Sequence, residues 1–314
     1  LLKKKLNISG LSMTKKSVAV LMGGWSSERE VSLSSGEGIV TTLKNLGYTV
    51  HPIDVTNDYE SLLKTLTAAK PDVVFNALHG TGGEDGVIQG FLDVLQLPYT
   101  HSNVASSAIA MHKIHSRKIF EYEGIKTPPW KVVDRHTLRT NPPFEVPFVV
   151  KPVSEGSSRG VYIVTKEIPE EIFADDWVFG DQVLVEKFLP GQDIQVAVMG
   201  DRALGAIEIR PRTEFYDYKA KYTDGFAEHL MPAPLPKEEY DRVLAIALKA
   251  HKLLECRGVS RSDFMYSGGE FYLLELNTQP GMTPLSLLPE IAAYEGVTFG
   301  EILEYLIDNA AYRA

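Results

Sequence analysis

Asp263, Glu275 and Asn277 stand within one apolar stretch, DFMYSGGEFYLLELN, at residues 263–277. Side chains alternate faces along a strand, so Glu275 and Asn277 point the same way. Folding the stretch about Gly268-Gly269 makes a hairpin that brings Asp263 opposite position 274 or 275. Three oxygen-bearing side chains then converge on one patch. Oxygen donors of this kind suit Mg²⁺ better than Zn²⁺, which prefers cysteine or histidine. A surface hairpin with solvated acids is the plain alternative, and the surrounding Phe, Leu and Tyr weigh against it.

A second candidate is VVKPVSEGSSRGVYIV (149–164), a Gly/Ser-rich loop between two strand-like runs. It lacks the GxxxxGK[ST] order and the following helix of a Walker A motif. Its backbone N–H groups could still face phosphates, with Lys151 on the incoming strand supplying positive charge. A mobile surface hairpin fits the loop in isolation equally well. Lys151 favours the first reading, because a lysine ending an apolar strand needs a partner. VLVEKFL ends in Glu186 and Lys187, which face opposite sides of their strand, so one could border an adenine-sized pocket while the other is solvated.

These groups need elements to hold them. SVAVLM (17–22), YTVHPIDV (48–55) and PDVVFNALHG (71–80) are expected to be strands. Helical segments near 32–46 and 58–69 alternate with them, and another begins near Val87. Such alternation implies a wound parallel sheet with ligands beyond the strands' carboxyl ends. Residues 104–124 read as a helix pair broken by TPPW, and 147–191 as a small β-rich unit. Strands recur from 193, followed by a polar aromatic loop at 214–226, a helix over 237–255, the opening hairpin and a last helix from Phe299. In the 237–255 helix, Val243, Leu244, Ile246, Ala247 and Ala250 have the spacing of a core face.

A chain of 314 residues can build two or three domains, and 44% hydrophobic with 23% charged residues is ordinary for a globular protein. A net charge of −9 argues against broad nucleic-acid binding. One cysteine, Cys256, cannot form an intramolecular disulfide and fits a reducing compartment. No apolar run approaches the ~18 residues of a membrane span. Residues 1–12 are expected to be a disordered or artefactual extension before Met13, with no signal-peptide core following the basic start.

In order, LMGGWSSEREVS, NALHGTGGEDG, KPVSEGSSRG, FYDYKAKY and RSDFMY…YLLELNTQPGMT resemble the D-alanine–D-alanine ligase family of the ATP-grasp superfamily. The resemblance runs from Met13 to the C-terminus. It implies an α/β protein, α+β in its ATP-binding part. The three-domain ATP-grasp fold would comprise an N-terminal wound parallel sheet (13–103), a central lid (104–190) and a catalytic domain (191–314). It implies ATP-dependent joining of two D-alanines through a D-alanyl phosphate, in the cytoplasm, for peptidoglycan and hence cell-wall synthesis. Another ATP-grasp carboxylate–amine ligase, such as a D-alanine–D-lactate ligase, is the alternative.

Residue by residue, the resemblance makes Asp263, Glu275 and Asn277 ligands of two Mg²⁺ or Mn²⁺ ions. Lys113, Lys151 and Lys221 would reach ATP phosphates. Glu186, Lys187 and Leu189 would border adenine, and Asp193 stands where the family carries a ribose-binding glutamate. Glu28 would meet the first D-alanine's ammonium, near His79, and join Ser157 and Tyr222 in a hydrogen-bonded link to the loop. Arg261 and the Gly281 N–H would stabilise an oxyanion, and Ser286 and Leu287 would hold the second D-alanine. Tyr222 goes with D-alanine rather than D-lactate as acceptor. His112 replaces an aspartate common in the family. The loops 155–160 and 214–226 are expected to close over ATP, and a homodimer is expected, with neither nucleic acid nor membrane as partner.

Overall fold

The computed structural model describes residues 15–211 and 227–312. Expectations for residues 1–12, for Lys221 and Tyr222, and for the 214–226 loop lie outside the described residues.

Strand β1 (Ser17–Gly23) has residues 18–21 fully buried, as a parallel strand covered on both faces must. It is flanked by β2 (Thr49–Val55) and β3 (Val73–Asn76) in a parallel sheet of order β2-β1-β3, with Val20 opposite both Pro52 and Phe75. Alternation sends Val18 and Val20 into one core and Ala19 and Leu21 into another. Helix α1 (Arg29–Asn45) covers the first face through Ile39 and Leu43. Helix α2 (Tyr59–Ala69), capped by the Asp58 carboxylate accepting from Ser61 N–H, covers the second through Leu62 and Leu66. Helix α3 (Val87–Val94) follows the glycine-rich turn after β3.

The expected helix pair is present as α4 (Val104–Met111) and α5 (Lys113–Tyr122). Strand β4 (Trp130–Asp134), the short α6 (Arg135–Leu138), β5 (Phe148–Pro152), β6 (Tyr162–Val164) and β7 (Gln182–Lys187) follow. They build an antiparallel sheet of order β4-β7-β5-β6. Phe148, Val150, Val183 and Val185 face its own core. Lys151 and Glu186 sit at the alternate positions, on the opposite face.

The third sheet is antiparallel, with order β10-β9-β8-β11-β12. Its strands are β8 (Gln192–Met199), β9 (Arg202–Pro211), β10 (Ala227–Leu230), β11 (Val259–Ser267) and β12 (Glu270–Asn277). Helix α7 (Lys237–Leu253) packs Val243, Ala247 and Ala250 on one face, where α4 and α5 add Ala110 and Phe120. Of the proposed core positions on α7, Leu244 and Ile246 are only partly buried. On the other face lie α8 (Leu287–Tyr294) and α9 (Phe299–Asp308), in the same cluster as Val18 and Val20 of β1. The first and third sheets therefore share a core, which fixes the NALHG turn against the 263–277 hairpin.

That hairpin turns on Gly268 and Gly269, at φ 59° and 81°, the left-handed pair a two-residue turn requires. Asp263 opposes Glu275, but Phe264 opposes Leu273, so Leu274 is an extra residue in a β-bulge. This bulge explains the register that sequence alone left open between 274 and 275. Beyond β12, Asn76 donates to the Gln279 side-chain oxygen at 2.8 Å, and Gln279 donates to the Leu78 carbonyl. Both side chains are buried, so the two loops are locked together.

Candidate active site

A cavity of about 90 Å³ opens where the first and third sheets meet. Glu28, His79, Lys113, Ser157, Arg261, Glu275, Asn277, Gly281, Ser286 and Leu287 all line it. They come from six separate segments, and the fold brings them to one place.

At one end the buried Glu28 accepts a hydrogen bond from the Ser157 hydroxyl. This contact ties the Gly/Ser loop to the start of α1. His79 Nδ1 is 3.0 Å from Glu84 Oε1, and its Nε2 is 3.4 Å from Ser35 Oγ. Burial opposes charging His79, but the hydrogen bond and charge of Glu84, with the charge of Glu28, prevail and raise its pKa. Half-buried Glu155 borders the same space, and desolvation followed by repulsion from Glu28 lifts its carboxyl above the ordinary range. Acids clustered in a confined space make this end suited to an ammonium group.

Along the third sheet, Arg261 and Asp263 are alternate residues of β11 on one face. Arg261 forks onto Asp263 at 2.7 and 2.9 Å. Asn277 Oδ1 accepts from the Gln279 N–H at 2.9 Å. Asp263 and Asn277 thus spend one lone pair per named oxygen and keep another. Among the described residues no three His, Cys, Asp or Glu side chains are grouped to hold a metal alone. Two carboxylates and an amide fit a hard cation that completes its shell with phosphate oxygens and water.

Lys113, at the start of α5, donates to the Glu155 carbonyl at 2.6 Å and lies 3.4 Å from Glu275 Oε2. One turn on, Arg117 is 1% exposed. Its guanidinium pairs with Glu186, which also pairs with Lys151, and it donates at 3.3 Å to the carbonyl of the bulged Leu274. Burial opposes ionising Glu186, yet Lys151 and Arg117 overcome it and hold the carboxyl below its usual range. At Lys151 burial prevails and lowers the ammonium's pKa despite Glu186. Lys187 is exposed and Leu189 half-buried; neither lines the cavity, and neither do Lys151, Glu186, Asp193 or Asp263. Asp193 lies on β8, its Oδ1 3.4 Å from Gln195 Nε2. Met282 is buried, whereas Leu285 is 46% exposed and lines the cavity. His112 stacks on His115 with ring centroids 3.9 Å apart.

Gly281 is placed by Ser286. A Cβ at Gly281 would come within 2.8 Å of Ser286 Oγ, itself bonded to Thr283 N–H at 2.9 Å. Ser286 also precedes the first turn of α8, whose N–H groups point out of the helix.

Comparison with known proteins matches the D-ala D-ala ligase C-terminus family model over residues 119–308 and the D-ala D-ala ligase N-terminus model over 60–102. The chain belongs to the D-alanine–D-alanine ligase family. It is 48% identical over 305 residues to the D-alanine–D-alanine ligase of Methylorubrum populi, covering 94% of this chain and 98% of that one. It is likewise 48% identical over 308 residues to D-alanine–D-alanine ligase B of Brucella melitensis, covering 95% and 97%. The crystal structure of the Bacillus anthracis D-alanine–D-alanine ligase complexed with ATP superposes with a TM-score of 0.79 at 36% identity, over 94% of this chain and 96% of that one. The expected ATP-grasp α/β fold is therefore present.

Within this member of the D-alanine–D-alanine ligase family, several residues at the site escaped the sequence reading. Arg117 is four residues after Lys113, the spacing of one helix face. Glu84 closes the HGTGGE turn five residues after His79. Gln195 is two residues after Asp193, on the same face of β8. Those spacings were available signals. Nothing local signals the Asn76–Gln279 lock, which joins residues about two hundred positions apart.

Proposed function

We propose that this chain catalyses ATP-dependent joining of two D-alanines to D-alanyl-D-alanine, supplying a peptidoglycan precursor. The carrying observation is the convergence of an ammonium-binding end, an arginine, and Glu275 with Asn277 on one cavity, with Asp263 opposite Glu275 on the neighbouring strand. A carboxylate is a poor electrophile. Transfer of the ATP γ-phosphoryl group to a first D-alanine carboxylate oxygen gives an acyl phosphate and ADP. Attack of the second D-alanine's amine on that carbonyl forms the C–N bond, and the C–O bond to phosphate breaks. The amine loses a proton, and inorganic phosphate leaves.

In this reading Glu28 holds the first ammonium, with His79 beside it, and Ser157 links Glu28 to the loop. Lys113 and Lys151 meet ATP phosphates, Glu186, Lys187 and Leu189 border adenine, and Asp193 takes the ribose. Arg261 and the Gly281 N–H face the tetrahedral oxyanion, where such donors are worth on the order of 3 kcal/mol each. Ser286 and Leu287 hold the second D-alanine. Asp263, Glu275 and Asn277 would hold Mg²⁺ or Mn²⁺, two ions per site, whose role is to neutralise phosphate charge. Lys221 and Tyr222 belong to the same reading.

The reading includes domain divisions at 103 and 190, a cytoplasmic homodimer, and both loops as closing lids. No helix of the described residues is long and apolar enough to cross a membrane. Phosphate release and dipeptide formation are measured with ATP, Mg²⁺ and D-alanine, then with D-lactate as competing acceptor. Amino-acid-dependent turnover to the dipeptide is expected. Turnover independent of D-alanine, or preferred D-lactate incorporation, overturns the assignment.

A further inference from the structure

We propose that Gln195 is an additional oxygen donor to the divalent cation that accompanies ATP, an inference that rests on the metal patch proposed above. Gln195 opposes Asp263 across β8 and β11, and Asp263 opposes Glu275 across β11 and β12. The three side chains form one cross-strand row on the cavity face of the sheet. Gln195 is 2% exposed and lines the cavity with Arg261, Glu275 and Asn277. Its Oε1 is buried without a hydrogen-bond partner among the described residues.

The amide orientation follows from Asp193. Gln195 Nε2 lies 3.4 Å from Asp193 Oδ1, so turning the amide over would set two oxygens against each other. Oε1 is thus a buried acceptor on a side chain that neighbours the proposed ribose acid and stands in the carboxylate row. A triphosphate placed there also offers only acceptors, which Oε1 cannot satisfy. Among the described residues the ammonium lining this cavity is that of Lys113, which is engaged by the Glu155 carbonyl and Glu275. A cation, or water bound to one, is the group that pairs with an amide oxygen facing phosphates. A buried amide oxygen left unpaired would otherwise cost stability with no return.

Binding of Mn²⁺ is measured from the loss of its free electron-spin resonance signal. The protein carries a non-hydrolysable β,γ-imido ATP analogue, and wild type is compared with Gln195→Leu and Gln195→Glu. The leucine variant is expected to bind Mn²⁺ about tenfold more weakly, as loss of a metal-supporting partner typically does. The glutamate variant binds at least as tightly as wild type. Affinity for the analogue in EDTA is the same for wild type and the leucine variant. Unchanged Mn²⁺ affinity in Gln195→Leu, or weaker affinity in Gln195→Glu, overturns the proposal while leaving the metal patch intact. No Mn²⁺ uptake by the wild type overturns the patch itself. Should Gln195→Leu fail to fold, the isosteric Gln195→Glu decides alone.

Discussion

Glu84 favours the charged form of His79 as well as orienting it. The raised pKa means that the native state binds a proton more tightly than the unfolded chain does. The resulting stabilisation is fully present below the ordinary histidine pKa, about 6.5, and is lost as pH rises through the higher folded value. In Glu84→Gln the hydrogen bond keeps its acceptor oxygen but loses its anion, at a cost of about 1.5–3 kcal/mol at most where His79 is protonated. Urea unfolding at pH 6 and pH 9 checks this: the gap between wild type and variant should be wide at pH 6 and narrow at pH 9. An equal gap at both would mean that Glu84 acts through shape alone. The HGTGGEDG turn places His79 and Glu84 close in the chain, but only the third sheet, by burying the turn, makes their pairing consequential.

At the scale of elements, β5, β7 and α5 meet at Glu186. A lysine ending an apolar strand pointed to a hidden partner, and Glu186 is that partner. Arg117 was harder to read, because a helix shows its own spacing but not the sheet it will face. The bulge at Leu274 was unreadable for a related reason: its carbonyl is held by Arg117, more than a hundred and fifty residues away. Helix α8 also gave no clear signal, since Pro289 within LLPEIAAY reads as a breaker. It is tolerated in the first turn, where N–H groups have no helical acceptor. Glu186→Gln would leave two buried cations without their anion and should destabilise the fold by about 3–5 kcal/mol. Adding Arg117→Met should recover part of that loss, as seen in urea midpoints. A double variant no more stable than Glu186→Gln would show that Arg117 does not depend on Glu186.

Across the whole molecule, the second sheet stands apart in having its own core, while the first and third are fused through theirs. Its described polar links to the rest run largely through the site. Lys113 N–H donates to the Val153 carbonyl at 2.9 Å, Lys113 Nζ to the Glu155 carbonyl, Arg117 to Glu186, and Ser157 to Glu28. Ser157 and Ser158 have φ of 49° and 58°, left-handed values that non-glycine residues adopt only when held there. The hydroxyl bond to Glu28 restrains this loop at Ser157 itself, beside the bonds from Lys113 to the Glu155 carbonyl and from Arg159 to the Ser27 carbonyl, so Ser157→Ala should let its backbone relax in part. Amide hydrogen exchange over 155–159 should then accelerate at least tenfold, corresponding to about 1.4 kcal/mol of lost local protection. Global unfolding should move by less than about 1 kcal/mol, because Ser157 contributes to none of the buried apolar clusters. Adding ATP and D-alanine should slow exchange over the same residues in wild type and less so in the variant. Unaltered exchange in Ser157→Ala would mean that the loop is held by its own turn, and the contact with Glu28 would then be a consequence of its position, with no part in setting it.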